Sequence, residues 1–205
     1  MAPRPYQGHR RKAAQEETRG RIILATVALH AEKGVTATTH ADIAKLADVA
    51  IPTVYKHFPT RADLLPACIS HVAGKAPALG PHLFDGKQEM KARLDSLVHG
   101  LFETHAYYAP WLRWATSEAE LFSEIKTVQK QARKAQRDVI RQAFSPGFSG
   151  KPPGALLTVV HVLLDFPAWK SLTTDKDMRP DRAEALITDA IVTLVHHYQR
   201  KEKQR

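Results

Sequence analysis

A chain of 205 residues, 43% hydrophobic and 25% charged, can bury a core without disulfide staples and is too apolar to remain disordered. Its longest apolar run, Gly154 to Leu164, ends at Asp165 and is too short to cross a bilayer. The single Cys68 excludes an internal disulfide or a thiolate metal cage and suits a reducing compartment. Net charge is +9, of which residues 1–12 carry +4 and residues 200–205 carry +3, so the excess favours a polyanionic partner and sits mostly at the two ends.

In chain order, residues 1–15 read as a basic, disordered arm, either a solvated tail or an arm lying on DNA. Pro and Arg stand where a signal peptide needs an apolar stretch, so the expected location is cytoplasmic. From about Glu16 to Lys33, Ile23, Val27 and Ala31 recur at helical spacing, and Gly34 supplies a stop. Thr39-His40-Ala41-Asp42 has the form of a capping box, with Asp for the usual Glu, and opens a two-turn helix to Leu46. Residues 47–50 form a turn. A third helix covers Ile51 to His57 with Pro52 in its first turn. Thr60-Arg61-Ala62-Asp63 repeats the capping pattern and opens a fourth helix to about Val72. Two short helices joined by a four-residue turn and propped by flanking helices make a helix-turn-helix pattern.

The segment GKAPALGPHLFDG at 74–86, with three Gly and two Pro, marks the domain boundary. Beyond it, helices are expected at 87–106, 111–122, 124–144, 155–173 and 178–199, with a linker at 145–154 and a basic tail at 200–205. No alternating strand of useful length occurs, so the fold class is all-α. The last helix carries a clean apolar stripe, and residues 155–164 are apolar nearly all round. Such a pair is buried within the monomer or by a second copy in a four-helix bundle, and dimerisation is the economical solution.

From Arg19 to Leu65 the sequence resembles the DNA-binding domain of the TetR (tetracycline repressor) family. Gly34, Thr38-Thr39, Asp42-Ile43-Ala44, Ala47, Val49, the Pro52-Thr53-Val54-Tyr55 run, His57-Phe58, Arg61 and Leu64-Leu65 carry the resemblance, which covers about a quarter of the chain. It implies a three-helix DNA-binding domain at 16–73 and a helical ligand-binding and dimerisation domain at 87–199. Base-facing positions would be Ala41, Ile51, Pro52 and Thr53. Phosphate contacts would come from Thr39, His40, Tyr55, Lys56, His57 and Arg61. Ala41 and Ile51 have no hydrogen-bonding ends, so their contacts would be apolar, with thymine methyl groups. Three positions depart from the pattern: Asp48 replaces the turn Gly, Ala50 removes the N-cap before the third helix, and His30 stands where a core Phe is common.

The residues support this independently. Val54 and Phe58, with Ile43, Ala44 and Val49, can point inward, leaving Pro52, Thr53, Lys56 and His57 outward on a helix sized for a major groove. Further along, Phe102, His105, Tyr107, Tyr108, Trp111, Trp114, Phe122 and Trp169 are either core or the lining of an apolar effector pocket. His161 and Asp165, one turn apart, are either anchors in it or a satisfied buried pair. Neither a metal site nor a catalytic motif is present despite 11 His, and no cofactor is expected. The expected function is a homodimeric regulator, a repressor released from a palindromic operator by a small hydrophobic or aromatic ligand. The alternative is a helical small-molecule-binding or adaptor protein with a vestigial helix-turn-helix.

Overall fold

The computed structural model describes residues 5–148 and 151–203. Its elements are α1 (Pro5–Ala37), α2 (His40–Ala47), α3 (Ile51–His57), α4 (Arg61–Ala73), α5 (Met90–Glu118), α6 (Ser123–Ala143), α7 (Gly154–Leu163), α8 (Phe166–Lys170) and α9 (Pro180–Lys203), with a π-turn at Ser171–Asp175. No strand occurs among the described residues, as an all-α class requires. No single described helix is long and apolar enough to cross a membrane.

The chain forms two compact units: Met1–Ala76 with Pro110–Thr127, and Pro77–Ala109 with Val128–Arg205. In the first, α1 packs on α2 and α4, and α2 on α3. Ile22, Leu29, Ile43, Ala44, Val54, Phe58, Leu64, Leu65 and Cys68 form its core. Val49 packs against that core partly buried, so the inward set expected for the helix-turn-helix is the observed one.

The segment 110–127 joins this unit although it lies far along the chain. Trp111 donates its indole N–H to the Val27 carbonyl at 3.1 Å and Trp114 to the Ala31 carbonyl at 3.3 Å, and Arg113 donates to the same Ala31 carbonyl. Buried Glu118 accepts from the Thr36 backbone N–H at 2.8 Å. These bonds run along the last third of α1, within which Gly34 breaks the helix with φ 80 and ψ 172.

The second unit has its own core. Leu94, Leu97, Val98 and Leu101 of α5 meet Val139, Ile140 and Ala143 of α6, Leu156 and Val160 of α7, and Ala183, Ile187, Ile191 and Val195 of α9. Arg93 fastens the end of α6 by donating to the carbonyls of Gln142 and Ala143 at 2.6 and 3.1 Å, its guanidinium resting on the Phe84 ring.

Four expectations change. Residues 5–15, read as a disordered arm, continue α1 as helix: the Gln, Arg, Lys and Ala that fill the segment are strong helix formers, and Pro5 occupies the first position. Residues 1–4 lie outside the described residues. The expected break near residue 107 is absent, because α5 runs through Pro110; the bond that Pro110 cannot make is the one to the carbonyl of Ala106, an exposed residue. The single helix expected at 155–173 is two, since Asp165 caps α8 by accepting from the Phe166 N–H at 2.9 Å and Pro167 follows in the first turn. The tail at 200–205 is helical as far as Lys203, and residues 204–205 lie outside the described residues.

Candidate nucleic-acid interface

The helix-turn-helix is built by local chemistry. Thr39 accepts from the Asp42 N–H at 3.1 Å while Asp42 accepts from the Thr39 N–H at 3.0 Å, closing the capping box. Lys33 reaches the same carboxylate at 2.7 Å. Hydrogen bonds from Lys33 and then Thr39 hold the Asp42 carboxyl well below the usual carboxylate range. Thr60 and Asp63 repeat the box at α4. The turn closes through Asp48, left-handed at φ 51, a conformation that Asp tolerates better than most residues. Arg21 donates to the Asp48 carbonyl at 3.4 Å and pins that turn to α1. Ala50 stands at the N-cap of α3 with no side-chain bond.

With Val54 fully buried and Phe58 only 2% exposed, α3 has one orientation available. Ile51, Pro52, Tyr55 and Lys56 are exposed on it, Thr53 and His57 half-buried. From α2, Thr39 and Ala41 are exposed and His40 is half-buried. The His40 and Tyr55 rings stack with centroids 4.3 Å apart and planes 3° from parallel. The His40 Nε2 is buried with no hydrogen-bond partner. Tyr55, half exposed, thus belongs to a stacked pair that joins the two helices. Arg61 is exposed and donates to the Thr36 carbonyl at 3.3 Å, which ties it to the end of α1. At the start of α2 the box engages the backbone N–H of Asp42, leaving His40 and Ala41 to offer theirs.

The residues proposed from sequence as effector contacts are divided between the two units. Trp111, Trp114 and Phe122 belong to the helix-turn-helix unit, the first two bonded to α1. Phe102, His105, Tyr108, His161, Asp165 and Trp169 belong to the other unit. There, buried His105 donates from Nε2 to the Leu164 carbonyl at 2.9 Å, beside the stacked Phe166 and Trp169 rings. Burial lowers the His105 pKa, opposed by that hydrogen bond. Gln136 donates to the same carbonyl at 2.9 Å. Phe102 is core, and Tyr108 is half-buried against Tyr107. Asp165 is exposed as a helix cap and His161 is half-buried, so they are not a buried pair. Sequence reasoning missed Glu118, Arg113 and Gln136, whose roles depend on contacts with distant backbone. Among the described residues no group of His, Cys, Asp or Glu is placed to hold a metal.

Comparison with known proteins follows the same division. Residues 22–68 match the family model described as bacterial regulatory proteins, tetR family. The chain is 40% identical over 57 residues to the HTH-type transcriptional repressor KstR of Rhodococcus jostii, covering 28% of this chain and 27% of that protein. It is 28% identical over 91 residues to the HTH-type transcriptional regulator LuxR of Vibrio harveyi, covering 42% and 44%. These two matches thus span less than half of each relative. A longer match, 29% identical over 184 residues, covers 85% of this chain and 82% of the transcriptional repressor KstR of Mycobacterium tuberculosis. Among solved structures, a transcriptional regulator from Streptomyces coelicolor, SCO7518, superposes with a TM-score of 0.61 at 19% identity over 87% of this chain and 98% of that one, a likeness of fold.

Proposed function

The chain belongs to the tetR family of bacterial regulatory proteins, and on that premise we propose that it is a homodimeric transcriptional repressor acting in the cytoplasm on a palindromic operator. The observation that carries this reading is the outward face of α3. Ile51, Pro52, Tyr55 and Lys56 are exposed together on a helix whose opposite side is locked by Val54 and Phe58. A helix so held enters the major groove with its first residues at the base edges. Ala41, Ile51, Pro52 and Thr53 then face bases, the apolar pair against thymine methyl groups. Tyr55, Lys56, His57, Arg61, Thr39 and the first backbone N–H groups of α2 meet phosphates and fix the register. His40 acts through Tyr55, whose ring it holds by stacking.

In the second unit, His105 and Trp169 lie at the junction of α7 and α8, where a small hydrophobic or aromatic effector would bind, with Tyr108 and His161 as further contacts. Trp111, Trp114 and Glu118 hold the end of α1 and would pass the response to the reading heads. An effector releases DNA only by favouring the state whose head spacing does not match the operator. Selection of bound duplexes from a random pool, repeated with candidate effectors, tests the reading. A two-fold symmetric site, weakened for Tyr55→Ala and Lys56→Ala variants that remain dimeric, is the expected result. The absence of any enriched sequence would leave an adaptor or small-molecule-binding protein with a vestigial helix-turn-helix.

A further inference from the structure

The helix α6 carries six Lys or Arg against Glu124 and Asp138. Five of these cations, Lys130, Arg133, Lys134, Arg137 and Arg141, lie in the second unit. At 3.6 residues per turn they occupy an arc of roughly 100° on one side of the helix, over about 16 Å of its length. All five are exposed. The opposite side is engaged already, since Val139, Ile140 and Ala143 are buried in the core. Lys134 and Arg141 share the single carboxylate of Asp138 at 3.2 and 3.4 Å. Among the described residues Lys130, Arg133 and Arg137 make no ion pair. The ridge also acts on its neighbour on α7: burial, then Arg137, lowers the His161 pKa, with Arg141 adding to the effect and Asp165 opposing it.

We propose that this ridge of α6 is a second, sequence-independent binding surface for the phosphate backbone of duplex DNA, separate from the reading head at α3. Length and charge fit that occupant. A strand presents one phosphate per about 3.4 Å of duplex axis, so a ridge of about 16 Å faces roughly five phosphates with five cations. A membrane surface fits poorly, because an interfacial helix needs a free apolar face to sink below the headgroups and the apolar face here is buried. The ridge would hold the protein on flanking or neighbouring duplex whichever sequence α3 reads.

The test uses the full-length protein, a mixed-sequence duplex of roughly 40 base pairs, and a salt titration, since each phosphate contact contributes about −0.9 to the slope of log affinity against log salt. The ridge variant is K130Q/R133Q/R137Q/R141Q. The control K91Q/K151Q/K176Q/R182Q removes the same charge from exposed positions elsewhere in that unit. Relative to the control, the ridge variant should bind at least about 10-fold more weakly at low salt, with a slope shallower by about 3.6, and an unchanged thermal melt. A Tyr55→Ala/Lys56→Ala variant should lose preference for a selected site yet keep the slope that the ridge contributes, so failure at α3 and failure at α6 are read separately. Equal affinity and slope in ridge variant and control would overturn the proposal. So would ridge-dependent binding to phosphatidylglycerol vesicles with none to the duplex.

Discussion

Gly34 combines φ 80 with ψ 172, and a Cβ built there would lie 2.7 Å from Glu118 Oε1. That backbone region belongs almost solely to glycine and costs other residues about 1–3 kcal/mol. The neighbouring carboxylate leaves no room for relief except by giving up the Thr36 N–H. Gly34→Ala should therefore lower unfolding free energy by at least about 1–3 kcal/mol in urea titration. Glu118→Gln, which retains an acceptor for Thr36, should lose less than Glu118→Ala. His30 gives a second test in the same core. Its burial, with the Arg61 guanidinium adding, pushes its pKa from 6.5 down to about 4. As pH falls through 6.5 the unfolded chain takes up a proton and the folded chain does not until about 4. The resulting stabilisation, at most about 3 kcal/mol, is present in full above 6.5 and lost between those values. Denaturant titrations at several pH values should show this loss, and His30→Phe should flatten the profile. The remaining slope belongs to other groups such as His105, shifted in the same direction.

Among the elements, α2 and α3 differ in how they begin. The first has a complete capping box, whereas the second starts at Ala50, in an extended conformation (φ −70, ψ 145) with no side-chain bond. Because that conformation already suits a cap, Ala50→Ser should stabilise the protein by about 0.5–1 kcal/mol, measured as a raised urea midpoint, without altering the α3 face. This part of the molecule was legible in the sequence because its signals are local: Thr39 with Asp42, Asp48 in the turn, Pro52 in a first turn, and apolar residues at helical spacing. Elsewhere local signals misled. The break expected between 106 and 111 does not occur, because a proline whose lost bond falls at an exposed residue, as that of Pro110 does at Ala106, can be carried within a helix. Asp165 reads as a pocket anchor or half of a buried pair, whereas with Pro167 close behind it is a helix start. Residues 5–15 were read from their charge, although their composition favours helix. Glu118 was invisible because its partner lies 82 positions away, and no spacing rule connects a carboxylate to so distant an N–H. The aromatic residues at 102–122 were read as one population for a related reason: density along the chain does not say which unit each ring joins.

For the whole molecule, the proposed dimer needs a surface on which two copies meet. Along α7 the outward residues are Ala155, Thr158, Val159 and Val162, with Val159 42% and Val162 65% exposed; on α9, which packs against α7, Leu186 is 49% exposed. The inward sides of both helices are filled by Leu156, Val160, Ala183, Ile187 and Ile191, so the outward apolar stripe is surplus to the monomer. Large apolar side chains repeated along adjacent helices mark a contact surface. A two-fold axis across two such helices would bury the stripe against its own copy in the four-helix bundle anticipated from the sequence. Val162→Asp with Leu186→Arg should then yield a monomer in sedimentation with an undiminished helical spectrum. Two heads tethered in one dimer bind a palindrome with an avidity of about 10² to 10⁴ over one head. The monomeric variant should accordingly bind a selected palindrome no better than an isolated half-site, while its half-site affinity equals that of the parent. A variant that stays dimeric would place the interface elsewhere. A monomer that keeps full affinity for the palindrome would show that the heads read DNA without one another.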